Sequence, residues 1–122
     1  MKKLSKLLIP ALLLAPAPTM AHHSYSMFDM RKTVVLDATV TQFKWQNPHS
    51  FINAEVMVNG TVENWSIEMT SPNNLIQSGW KRNSLAPGDK VRLYVHPLRS
   101  GAKGGSYVGV EMADGSTLGT VG

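Results

Sequence analysis

The chain has 122 residues, of which 43% are hydrophobic and none is cysteine. This length favours a single domain, and the lack of cysteine excludes disulfide scaffolds, thiolate metal sites and thiol nucleophiles. The formal net charge of +4 suggests nucleic-acid binding at first sight, but the position of the charges along the chain removes that indication.

The first 21 residues have the pattern of a secretory signal peptide. Three lysines precede an apolar run over residues 7–14, and Thr19-Met20-Ala21 provides small residues before a cleavage point. The apolar run is shorter than the roughly 20 residues of a transmembrane helix. We therefore predict residues 1–21 as a signal peptide cleaved after Ala21, a periplasmic or secreted mature protein, and no membrane span after processing.

Removal of this segment changes the charge balance of the protein. Twelve basic residues less the three signal lysines leave nine, against eight acidic residues that all follow Ala21. The mature chain is thus close to neutral, and we expect no nucleic-acid partner.

Five segments with period-two hydrophobic alternation follow a polar and aromatic lead-in over residues 22–32. In the first segment the apolar phase shifts between Val40 and Phe43, which indicates a bulge or bend within one long strand. Asn59-Gly60 predicts a type I′ hairpin turn between the second and third strands. The fifth strand is expected around Val108, after a loop over residues 97–106 and before a short tail.

One helix is expected after the third strand. Ser71 is a suitable N-cap, Pro72 fits the first helical position, and Gly79 fits the left-handed position past the end. Trp80 should then contact Leu75 and close the helix.

This order of elements predicts an all-β protein. Residues 22–122 are expected to form a single domain, a small five-stranded OB-like Greek-key barrel with one short helix between strands three and four. A half-open barrel or a small sandwich is the alternative. The expected core residues are Trp65, Ile67, Met69, Leu93, Val95, Val108, Val110 and Met112.

The four histidines are candidate metal ligands. Cleavage after Ala21 would make His22 the N-terminus, followed by His23, so that one amine and one ring nitrogen could chelate a metal. A further imidazole from His49 or His96 would complete a nitrogen set that suits Cu(II). We expect His49 near the helix start and His96 towards the other end of the barrel. The alternative is that all four histidines are exposed or bonded to the backbone.

A second kind of ligand site is indicated by the aromatic residues. Trp45, Phe51 and Tyr94 could form a stacking platform, with Asn47 and Glu68 as its polar residues, for a small anionic or carbohydrate ligand or a partner protein. Packing of these rings at the core or its rim is the alternative. Enzyme signature motifs are missing from the sequence, which favours a binding protein. A weak metal-dependent oxidative activity at an N-terminal histidine is a third possibility.

The order of several short motifs resembles a known family. These motifs are Ala21-His22-His23-Ser24, Phe28-Asp29, Asn47-Pro48-His49-Ser50, Glu68-Met69, Ser71-Pro72-Asn73, Gly79-Trp80, Pro87-Gly88-Asp89 and His96-Pro97. They resemble the small exported bacterial proteins of the domain of unknown function 6152 family, over nearly the whole mature chain. The resemblance implies export and one small domain, and it implies no activity. The four histidines and Glu68 all lie in the motifs that carry the resemblance.

Overall fold

The computed structural model describes residues 25–122. The expected signal peptide, its cleavage point, and the candidate ligands His22 and His23 lie outside the described residues. The elements in chain order are a 3₁₀ turn (Tyr25–Met27), β1 (Val34–Lys44), β2 (Phe51–Val58), β3 (Thr61–Glu68), α1 (Pro72–Gln77), β4 (Lys90–Pro97), β5 (Gly104–Met112) and β6 (Thr117–Gly119).

Strands β1 to β5 form a closed barrel. Neighbouring strands follow the order β3-β2-β1-β4-β5, and a parallel pairing between β3 and β5 closes the ring. The prediction of a small all-β barrel of OB type with one short helix after β3 is confirmed, and the half-open alternative is wrong. The segment expected as a tail adds β6 to the free side of β5.

Glycine permits the closure of the barrel at the start of β5. Gly105 pairs with Ile67 of β3 and with Pro97 of β4. A Cβ atom at Gly105 would lie 2.6 Å from the carbonyl oxygen of His96, so only glycine allows the two backbones to approach this closely. Strand β5 therefore begins within the segment that the sequence predicted as a loop.

Local signals set the bends and turns of the barrel. The register of β1 against β2 shifts between Val40 and Gln42, which confirms the predicted bulge and turns Phe43 towards the core. Asn59 and Gly60 both have positive φ, 50° and 79°. These angles confirm the type I′ turn of the β2–β3 hairpin.

The short helix has the predicted caps. The hydroxyl of Ser71 accepts a hydrogen bond from the N–H of Asn74 at 3.4 Å, and Gly79 has a φ of 95°. The N–H of Trp80 donates to the carbonyl of Leu75 at 2.9 Å, as a Schellman cap requires, and both side chains are buried. No helix among residues 25–122 is long and apolar enough to cross a membrane.

The core lies inside the barrel and extends under α1. Ile67, Leu93, Val95 and Val110 are all 0% exposed, as predicted. Of the two expected core methionines, Met69 is buried, and Met112 is partly buried against the core.

Two expected core residues, Trp65 and Val108, are only half-buried. The Trp65 indole packs against the core but keeps its polar edge outside, where Nε1 donates to Glu63 Oε1 at 3.2 Å. Val108 falls at the irregularity where Tyr94 pairs with Gly109 but Val95 pairs with Tyr107. This bulge breaks the alternation on which the prediction of burial depended.

Candidate binding cleft

A cleft of about 390 Å³ opens on the outside of the barrel, between the lead-in and the ends of β3 and β4. This volume is within the range of small-molecule sites. The wall is formed by the apolar or aromatic side chains of Tyr25, Phe28, Met30, Met69, Tyr107 and Val108 and by the polar residues His49, Glu68, Thr70, His96 and Ser106.

Barrel closure creates the polar row of this cleft. Ser106 of β5 pairs with Glu68 at the end of β3 and with His96 near the end of β4. Directly paired residues point to the same face of a sheet, and the adjacent residues Ile67 and Val95 are buried. Glu68, Ser106 and His96 therefore share the outer face.

The expected separation of the two described histidines is wrong, because both line this cleft. Closing a barrel requires a stagger between its strands, and here that stagger places the start of β5 beside the end of β3. Because the end of β4 pairs with the start of β5, His96 also lies beside the end of β3. Hydrophobic alternation does not reveal the register of the β3–β5 pairing, which is why the expected position of His96 is at the wrong end.

The backbone orients His49. Its Nδ1 atom lies 2.9 Å from the carbonyl oxygen of Met69 and 3.7 Å from Oε1 of Glu68. A carbonyl oxygen only accepts, so Nδ1 carries a proton, and in the neutral ring Nε2 is then the nitrogen with the lone pair. The expectation that His49 lies near Glu68 and the start of the helix is confirmed.

His96 has the same arrangement. Its Nδ1 atom lies 2.8 Å from the carbonyl oxygen of Lys32, so the lone pair is again on Nε2. The next residue, Pro97, accepts a hydrogen bond from the N–H of Asp29 at 2.8 Å. The lead-in therefore orients the ring of His96, and β4 in turn holds the lead-in through Pro97.

The lead-in is a fixed wall of the cleft. Phe28 is 5% exposed and forms a β-bridge with Leu98. Arg99 donates its backbone N–H to the carbonyl of Met27 at 2.9 Å and its Nε to the carbonyl of Ser26 at 3.0 Å. Sequence reasoning assigned Phe28 no site role, although it belongs to one of the motifs that resemble the family.

Tyr107 adds a buried hydroxyl behind the cleft. Its ring meets the ring of Trp80 edge-on, with centroids 5.4 Å apart. Among the described residues the hydroxyl has no hydrogen-bond partner. Burial raises the pKa of Tyr107 to about 12, against a weaker opposite effect of the Trp80 side chain. The phenol therefore stays neutral at alkaline pH values at which an exposed tyrosine loses its proton.

The described part of the chain contains no preformed metal site made of histidine, cysteine or carboxylate side chains. Among residues 25–122, no group of three or more His, Cys, Asp or Glu side chains could hold a metal ion. His49 and His96 would need donors of another kind, or donors from the chain before Tyr25, to complete a metal site.

The predicted aromatic platform is not assembled. Phe51 pairs with Lys44 on β1, whereas Tyr94 pairs with Val35. These two positions are nine residues apart, which is about 30 Å along an extended strand. Among residues 25–122, the ring of Trp45 contacts that of Phe43 and not those of Phe51 or Tyr94.

The other residues predicted to bind a non-metal ligand lie in different parts of the structure. The ring of Trp45 packs edge-on against Phe43 with a centroid distance of 5.8 Å, and Asn47 is exposed in the loop before β2. Of the five residues predicted for a non-metal ligand, Glu68 alone lines the cleft.

Comparison with known proteins identifies a family. No curated protein and no solved structure matches the chain. The Family of unknown function (DUF6152) matches residues 11–107, which cover most of the chain and all of the cleft wall except Val108. The chain therefore belongs to the Family of unknown function (DUF6152), in agreement with the motifs in its sequence.

Proposed function

We propose that this chain is an exported small binding protein that holds a copper ion at the cleft, through His22 and an imidazole of His49 or His96. One observation carries the proposal. The two described histidines line the same cleft, and each ring donates Nδ1–H to a backbone carbonyl. Proteins commonly orient metal-binding imidazoles in this way, with Nε2 facing the metal.

The three residues from Tyr25 back to His22 are enough chain for His22 to reach the cleft. Tyr25, three residues after His22, lines the cleft wall, and three residues span at most about 11 Å. The amine and ring of an N-terminal His22, with one further imidazole, would give three nitrogen donors in the arrangement that suits Cu(II). An N-terminal amine has a pKa of about 8, so it loses its proton easily for ligation.

Export is the other half of the proposal. The lysines, the apolar run and the small residues before His22 support a signal peptide, release after Ala21 and a periplasmic or secreted location. Without this cleavage His22 would have no free amine, so the copper site depends on the processing.

A small organic ligand is the second candidate, and the composition of the cleft wall favours it. Phe28, Met69 and Val108 give the cleft a largely apolar surface, with Ser106 and Glu68 as polar groups. The Glu68 side chain is 15% exposed and would repel an anion when ionised. This candidate is therefore a neutral ligand, such as a carbohydrate, in place of the anion considered from the sequence.

Blocking the N-terminal amine tests the copper proposal. We expect one extra residue before His22 to weaken Cu(II) binding far more than Zn(II) binding, because zinc prefers a tetrahedral site. Affinity is measured by competition with a chelator, and the ligand set by electron paramagnetic resonance.

Alanine variants then identify the third nitrogen. His49→Ala or His96→Ala should lower the Cu(II) affinity and alter the spectrum, whereas Asn47→Ala is the control, because Asn47 is exposed and does not line the cleft. If the extended protein and both histidine variants bind Cu(II) as the parent does, the copper is adventitious, and the neutral-ligand proposal becomes the better one.

A further inference from the structure

Two methionine side chains line the same cleft as the two histidines. Met69 follows β3 and is 4% exposed, whereas Met30 lies on the lead-in and is 46% exposed. The sequence indicated core packing for Met69 and no Met-rich motif. Their common position becomes visible only when the barrel closes and the lead-in packs across it.

Each histidine is held beside a segment that carries one of these methionines. His49 donates to the carbonyl of Met69 itself at 2.9 Å. His96 donates at 2.8 Å to the carbonyl of Lys32, which is two residues beyond Met30. The hydrogen bonds that fix the two rings therefore also hold the backbone segments that carry Met69 and Met30.

We propose that the cleft binds Cu(I) through the imidazoles of His49 and His96 and the thioether of Met30, with Met69 as the buried sulfur behind them. This inference rests on the proposed function in placing copper at the cleft, but it does not need the His22 amine. Thioethers are soft donors that select Cu(I), whereas an all-nitrogen set suits Cu(II). On this proposal the cleft offers one donor set for each oxidation state, and the two sets share an imidazole of His49 or His96.

The surroundings also favour the ion of lower charge. Phe28 and Tyr107 form part of the wall, and the phenol of Tyr107, whose pKa is raised by burial to about 12, carries no charge at neutral pH. Apolar walls of this kind lower the local dielectric constant, so that neutral donors bind a singly charged ion at less cost than a doubly charged one. Thioether donors also explain how a metal could bind where the described His, Asp and Glu side chains do not suffice.

The lead-in provides a matched control for Met30. Met27 is 41% exposed and therefore resembles Met30, which is 46% exposed, but Met27 does not line the cleft. Replacement of either by leucine keeps the size and apolar character of the side chain and removes only the sulfur.

The test is the Cu(I) affinity of the exported protein and of its Met30→Leu and Met27→Leu variants. It is measured without oxygen, with ascorbate as reductant and bicinchoninate as competing chelator. We expect Met30→Leu to raise the Cu(I) dissociation constant by at least about tenfold, since even second-shell changes alter metal affinity by that factor. Met27→Leu should leave this constant unchanged, and X-ray absorption should show sulfur bound to copper in the parent.

The outcomes separate this inference from the proposed function. Equal Cu(I) affinity in the parent and Met30→Leu, with all proteins showing the same thermal unfolding, would overturn the Met30 site. So would an equal loss in Met27→Leu. Loss of Cu(II) binding after the N-terminal extension reports only on the His22 site, so each site is tested by its own oxidation state of copper.

Discussion

Val95 decides which face of β4 carries His96, so its truncation tests the geometry of the cleft. Consecutive strand residues point to opposite faces; Val95 is 0% exposed, and His96 lines the cleft. Val95→Ala removes two buried carbon atoms, worth about 1.6 kcal/mol at ~0.8 kcal/mol each. A cavity adds to this, and we expect a total loss of about 2–3 kcal/mol in the free energy of unfolding.

Val35→Ala is the matched control. Val35 lies on the neighbouring strand β1 opposite Tyr94 and is 52% exposed. Both substitutions lose the same β-branched side chain, so the difference between them reports burial rather than strand propensity. We expect Val35→Ala to cost less than about 0.5 kcal/mol, with both values taken from urea unfolding followed by tryptophan fluorescence. Equal losses would refute the assigned phase of β4 and the orientation of His96.

Two further changes test the barrel closure and the wall of the cleft. Gly105→Ala should destabilise the protein by about 1–3 kcal/mol in thermal or urea unfolding, because the new Cβ meets the backbone of His96; an unchanged stability would contradict the close approach of β4 and β5. Tyr107, whose pKa is raised from 10.0 to about 12, should make stability fall as the pH rises from 10 to 12, since the unfolded chain loses its proton first. Tyr107→Phe should make this fall less steep without loss of stability at neutral pH, because the buried hydroxyl that it removes has no partner among the described residues, and a fall of equal steepness in the variant would contradict the assignment.

The features predicted well from sequence are those with local causes. Asn59 and Gly60 adopt the angles that their turn requires, and the cap formed with Trp80 follows from residues close together in the chain. Hydrophobic alternation likewise revealed the bulge in β1. Together these signals were sufficient to indicate the order of elements and the barrel class.

The cleft could not be predicted, because it depends on contacts between distant segments. The pairing of β3 with β5 involves Gly104 and Gly105, which a sequence pattern does not distinguish from loop glycines. The docking of Phe28 against Leu98 is likewise invisible to periodicity. Consequently the sequence identified His49, Glu68 and His96 as candidates, but neither their common cleft nor the methionines beside them.

The most direct test of the central claim is the intact mass of the exported protein, measured under native conditions with and without one equivalent of Cu(II). We predict a chain that begins at His22 and a bound form heavier by one copper ion. The proposed copper site would be contradicted if the chain began at another residue, so that no histidine had a free amine. It would also be contradicted if the protein retained no copper.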